Sequence, residues 1–123
     1  MGTAYKLSPS AGDWILTVLH NFGGSDEGGG PFGGLVLDAA GNLYGTTSGG
    51  FVDEFGSVFE LSHVGAEWQE TILYRFAGVD AGDGAMPETS LFLQSNTLYG
   101  TTIVGGDPAC RGAGGCGTVF AIR

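Results

Sequence analysis

Short apolar runs rich in β-branched and aromatic residues alternate along this chain with turns of Gly, Asn, Asp and Ser, and helical periodicity is absent. The runs predict strands, and the strands come in a fixed order. Leu35-Val36-Leu37 is the first, and a tight turn at Ala40-Gly41-Asn42 leads into the second, Leu43 to Thr47. Ser57 to Leu61 is the third. The fourth runs from Trp68 to Phe76, where two-residue alternation puts Trp68, Ile72, Tyr74 and Phe76 on one face. Four such strands predict an antiparallel meander whose apolar face a neighbour has to cover.

The same order is spelled again elsewhere in the chain. Leu91-Phe92-Leu93, a turn at Ser95-Asn96, Leu98 to Thr102 and Thr118 to Ile122 repeat strands one to three, and Trp14 to Phe22 repeats strand four. Leu43-Tyr44-Gly45-Thr46-Thr47 returns as Leu98-Tyr99-Gly100-Thr101-Thr102. Gly2-Thr3-Ala4-Tyr5, Gly56-Ser57-Val58-Phe59 and Gly117-Thr118-Val119-Phe120 mark the third strand three times. A period of roughly fifty residues is the size of one β-propeller blade. The reading is therefore strands three and four over residues 2–22, a complete unit over 35–76, and strands one to three over 91–123. Rings of this kind typically hold about four to eight blades, so two units need completion. Head-to-tail association of identical chains is the expected route, three copies in preference to four. Further repeats of a longer chain are the alternative.

Composition narrows the partners. Twenty-five glycines without a triplet period belong to turns, and 42% hydrophobic residues suffice for a core. Four Lys and Arg against thirteen Asp and Glu give a net charge of −9, which repels nucleic acid and anionic membranes and suits cations or neutral ligands. No apolar run reaches the roughly eighteen residues of a membrane-spanning helix, and the N-terminus lacks the pattern of a signal peptide. Cys110 and Cys116 lie in one glycine-rich loop where a tight disulfide is sterically feasible. A bridge there points to an oxidising, extracellular or cell-surface location.

The order of landmarks resembles a kelch blade: an apolar strand, a turn, a Leu-Tyr strand running into Gly-Gly, a Val-Phe strand and a Trp-bearing outer strand. The spelling Gly41-Asn42-Leu43-Tyr44-Gly45-Thr46-Thr47, the pair Gly49-Gly50, Gly117-Thr118-Val119-Phe120 and Leu19-His20-Asn21-Phe22 is similar to the GloVer-type tandem repeat of bacterial extracellular proteins. That resemblance spans nearly the whole chain. It implies an all-β fold of kelch-like β-propeller blades, about two per chain, and carries over no enzymatic mechanism. The second copy departs from the first at Ser95-Asn96-Thr97, which replaces Ala40-Gly41-Asn42, and at Tyr74, which replaces His20.

In a four-stranded unit the loop between strands two and three and the link after strand four emerge on one side. The links carry Asp26, Glu27, Asp80, Asp83 and Glu88, and the loops carry Asp53, Glu54 and Asp107, with Cys110, Arg111 and Cys116 beside them. Ca²⁺ is the fitting cation for such oxygens, which makes Asp26, Glu27, Asp80 and Asp83 the candidate ligands. Neither Asp26-Glu27-Gly28 nor Asp80-Ala81-Gly82-Asp83-Gly84 forms a twelve-residue calcium loop. Acidic turns that keep the surface soluble are the plainer reading. A cation that activates water would give a metal-dependent hydrolase of esters or phosphoesters, with His20, Asp26 and Glu27 as catalytic candidates. No nucleophile elbow, zinc-binding His motif or phosphate loop accompanies them. His20, aligned with Tyr74, reads first as a packed ring, and His63 reads as solvent-exposed on the opposite side.

Tyr44, Tyr99, Trp14 and Trp68 read as core because their positions repeat, and the Thr46-Thr47 and Thr101-Thr102 pairs read as strand residues with cross-strand hydroxyl contacts. For a carbohydrate or another small ligand the loop candidates are Phe32, Phe51 and Phe55, with Asp53, Glu54, Asp107 and Arg111. The function expected first is a non-catalytic extracellular repeat module, ligand-binding or structural. The hydrolase and a lectin-like ring stand behind it.

Overall fold

The computed structural model describes residues 1–23, 29–49, 55–110 and 114–123. Strands β1 (Gly2–Ser10) and β2 (Asp13–Phe22) form a two-stranded sheet. The central sheet is a meander of β3 (Val36–Leu37), β4 (Leu43–Thr47), β5 (Ser57–Val64) and β6 (Glu67–Arg75). The third sheet is β7 (Phe92–Gln94), β8 (Thr97–Thr102) and β9 (Thr118–Ile122), and every pairing in the three sheets is antiparallel. The described residues contain no α-helix, as the missing helical period implies. The first strands begin one residue later than expected, leaving Leu35 and Leu91 outside: β3 shortens to Val36–Leu37 and β7 shifts to Phe92–Gln94.

Turn chemistry sets the register. Between β3 and β4 the Asp38 N–H donates to the Asn42 carbonyl at 3.0 Å and the Gly41 N–H to the Asp38 carbonyl at 3.2 Å, with Gly41 at a φ of 93°. The β7–β8 turn has two residues, Ser95 and Asn96, at φ 49° and 62°, the left-handed pair that a tight hairpin requires.

Two apolar clusters hold the sheets face to face. Ala4 and Phe22 from the first sheet meet Phe59 and Leu61 from the central one, with Leu19, Leu35, Leu43, Trp68 and Ile72 around them. On the opposite face of the central sheet, Val58 and Phe76 meet Leu91 and Leu98, with Val36, Tyr44, Leu93, Phe120 and Ile122 around them. Val58 and Phe59 are neighbours in β5 and therefore point to opposite faces. The central sheet is thus covered on both sides. Full burial of a ring such as Phe59 stabilises the fold by about 1.5–3 kcal/mol.

The expected single face of Trp68, Ile72, Tyr74 and Phe76 does not form. Val58 pairs with Tyr74 and Phe59 with Ile72, which leaves Leu73 as an extra residue. One extra residue inverts the alternation, so Trp68 and Ile72 join the first cluster while Phe76 joins the second. The same irregularity leaves Leu19 over in β2, where Ala4 pairs with His20 and Tyr5 with Val18. A single outer strand can then serve two neighbouring sheets.

The repeated Leu-Tyr-Gly-Thr-Thr phrase also has a physical reading. A Cβ on Gly45 would lie 2.6 Å from the Phe59 ring and 2.8 Å from Leu35, and one on Gly100 would meet Phe120 and Leu91. The glycine lets the third-strand ring lie flat across the second strand. The second threonine of each pair makes the expected hydroxyl contact, Thr47 to Ser57 at 2.8 Å and Thr102 to Thr118 at 2.7 Å. Thr46 instead donates to the Thr89 carbonyl at 3.3 Å, and Thr101 contacts the Thr89 hydroxyl at 3.0 Å.

Candidate functional site

The link after β6 and the loop after β8 lie together on one side of the molecule. Ala85 and Val104 exchange backbone hydrogen bonds at 3.0 and 3.2 Å, and the Ile103 N–H donates to the Met86 carbonyl at 3.1 Å. Gly105 bridges Gly115, which ties in the Cys110–Cys116 disulfide loop, whose Cα atoms are 5.5 Å apart. Asp107 opens that loop, with its carboxylate accepting the Ala109 N–H at 2.9 Å.

Within the link, Asp83 acts as a staple. Its carboxylate accepts the Ala77 N–H at 2.8 Å, the Gly84 N–H at 2.7 Å and the Tyr74 hydroxyl at 2.9 Å. Partial burial works to raise the Asp83 pKa, but these three donors outweigh it and hold the group below its ordinary 3.8. The same bond, with some burial and the Asp83 charge, raises the Tyr74 pKa. Asp80 sits exposed in the short turn Val79–Ala81, and Glu88 lies farther along the link. Among the described residues no three His, Cys, Asp or Glu side chains gather closely enough to hold a metal ion. Phe32 is exposed, and Phe55 lies against Gly78. Asp26, Glu27, Phe51, Asp53, Glu54 and Arg111 lie outside the described residues.

His20 is packed between the first and central sheets. Its ring meets Phe22 edge-on at 4.8 Å, and its Nε2 stands 3.6 Å from the Glu70 carboxylate of the central sheet. His63 is exposed and packs against Trp68, its cross-strand partner near the β5–β6 turn, with ring centroids 3.9 Å apart and the planes tilted by 40°. The structure keeps the two histidines on different elements, β2 and β5.

Two apolar faces lie bare, as an uncompleted stack of sheets implies, and Trp14 and Tyr99 lie on them. On the outer side of the first sheet Tyr5 pairs with Val18, Leu7 with Leu16 and Pro9 with Trp14, and Trp14 is 64% exposed. These positions match Phe59, Leu61, Ile72 and Trp68, which the central sheet buries against its neighbour. On the outer side of the third sheet lie Phe92, Tyr99 and Val119, the last 81% exposed. They match Val36, Tyr44 and Val58, which are packed in the central sheet. Trp14 and Tyr99 are therefore not core in this chain, despite their repeated positions. The signal was present in β2, where Leu16 occupies the place of Glu70 in β6 and leaves Trp14, Leu16 and Val18 as an unbroken apolar stripe.

No curated protein and no solved structure matches the chain. The model of the Gloeobacter/Verrucomicrobia repeat matches residues 1–123. With its landmarks repeated in register along stacked antiparallel sheets, the chain belongs to the Gloeobacter/Verrucomicrobia repeat family.

Proposed function

We propose that this protein is a non-catalytic repeat module whose sheets are blades of a kelch-like β-propeller, closed by head-to-tail association of copies of the chain. The carrying observation is the pair of bare faces. Each consists of the positions that the central sheet uses to cover a neighbour, so the outer face of the third sheet suits the outer face of the first sheet in another copy. An exposed stripe of Tyr5, Leu7, Trp14, Leu16 and Val18 is costly in water, and burying such area is the main drive for association. A heterologous contact of this kind closes into a ring when the rotation permits. The disulfide fits an extracellular setting.

Light scattering tests the proposal. The expected mass is a small multiple of 12.5 kDa: two chains if the sheets stack as they stand, three if β1–β2 joins β7–β9 edge to edge with one of the two third strands, β1 or β9, displaced. A monomer at all concentrations overturns it. Trp14→Asp, which charges the outer face of the first sheet, is expected to release monomers without unfolding the chain.

A further inference from the structure

We propose that the cleft between the central and third sheets binds a neutral polyhydroxylated ring of hexose type, with Glu60 and Tyr44 on one wall and Asn96 and Arg123 on the other. The cleft holds about 340 Å³ and opens on the side of the β3–β4 and β7–β8 turns, away from the disulfide loop. That volume lies at the lower end of small-molecule sites, which run from about 300 to 1,000 Å³. Leu73, Leu93, Leu98 and Ile122 supply an apolar lining suited to the C–H face of a sugar ring.

Proton counting locates the vacant hydrogen-bonding capacity. Asp38 accepts the N–H groups of Ala40 and Asn42 at 2.9 and 2.8 Å on one oxygen, and the Asn42 side chain at 2.9 Å on the other. The Tyr44 hydroxyl, 3.0 Å from that second oxygen, completes the set. It also stands 3.3 Å from Glu60, but a phenol has one hydrogen and cannot serve both carboxylates. Among the described residues Tyr44 is the sole hydrogen-bonding partner of the Glu60 side chain. Burial, the bond to Asp38 and the nearby carboxylate charges push the Tyr44 pKa up to about 12, so the phenol stays protonated. Giving its hydrogen to Asp38 leaves the phenol oxygen and Glu60 side by side in the cleft as acceptors open to an external O–H. Asn96 and Arg123 offer donors across the cleft.

A sugar hydroxyl both donates and accepts, and so satisfies both walls. A metal ion would have to displace the donors that already fill Asp38. A carboxylate ligand meets two acids against one arginine. The polar set is also particular to this cleft: in the third sheet Ala121 faces Tyr99 where Glu60 faces Tyr44, and Gln94 stands in the place of Asp38.

The cleft is complete within one chain, so its test does not depend on ring closure. D-glucose, D-galactose and D-mannose are titrated separately into the whole chain and followed by backbone amide NMR shifts. At least one hexose is expected to give saturable shifts at Tyr44, Glu60 and Asn96. Glu60→Ala, which copies the residue the third sheet carries, is expected to weaken binding about tenfold. Should that variant disturb the whole spectrum, Arg123→Gln at the exposed end of β9 carries the same expectation. Absence of saturable shifts with all three hexoses overturns the proposal. Binding indifferent to these substitutions, or saturation of the same residues by glycine or Ca²⁺ in place of the hexoses, overturns it equally.

Discussion

The sheet β1–β2 and the outer half of the central sheet carry the same pattern in the same register, down to the bulged leucine at Leu19 and Leu73. Phe59 is nonetheless fully buried and its counterpart Tyr5 is 55% exposed. The same split separates Leu61 from Leu7 and Trp68 from Trp14. Position within the repeat decides which way a side chain points, but a neighbouring sheet decides whether it is core. Burial in a stacked repeat is a property of the junction.

The sharpest way to break that comparison is to truncate both counterparts. Phe59→Ala is expected to cost about 3–5 kcal/mol, the usual price of an emptied aromatic site. Tyr5→Ala in the dissociated chain is expected to stay near the roughly 0.5 kcal/mol of a surface change. Urea denaturation at low protein concentration measures both, and equal losses would erase the distinction. The glycines sharpen the comparison from the other side, because Gly45 and Gly100 meet equivalent rings although their sheets differ in strand number. Gly45→Ala and Gly100→Ala are each expected to destabilise by about 1–3 kcal/mol through overpacking. A much smaller loss at Gly100 would show that β7–β9 tolerates movement that the central sheet does not.

A smaller effect separates Tyr74 from His20, its counterpart in β2. The folded-state pKa of Asp83 lies below 3.8, so its contribution to stability is fully present above that value and is lost as pH falls through the lower folded-state pKa. Asp83→Asn is expected to remove that part of the acid sensitivity and to lower stability at neutral pH, where Tyr74, Ala77 and Gly84 lose a charged acceptor. Denaturation midpoints of both proteins above and below pH 3.8 check the sign. An unchanged pH profile would mean that the staple contributes nothing.

Much of the fold was legible in the sequence because it rests on local signals. Alternation marked the strands, Gly and Asn marked the turns, and the repeated phrase fixed the strand order. The face assignment of Tyr74 and Phe76 failed because an inserted residue inverts a period-two pattern without altering the composition of the strand. Trp14 and Tyr99 read as core yet lie exposed in the single chain, because repetition records the junctions that a repeat can make, and the described residues of one chain make only two of them. Topology expects the acidic residues on one side, and of that set Asp80, Asp83, Glu88 and Asp107 fall within the described residues. Which of them a backbone N–H already occupies, as at Asp83, depends on turn geometry that spacing does not encode. Asp38 and Glu60 escaped notice for a related reason: their link through Tyr44 crosses from a turn to two strands, and no short motif records it.

Trp14 itself offers the most direct measurement. Trp68→Phe leaves it as the single tryptophan, and its quenching by acrylamide can be followed as protein concentration rises. If the outer face of the first sheet is a blade junction, Trp14 becomes shielded as the chains associate. If Trp14 stays fully accessible at every concentration, the face is bare in solution and the ring does not form.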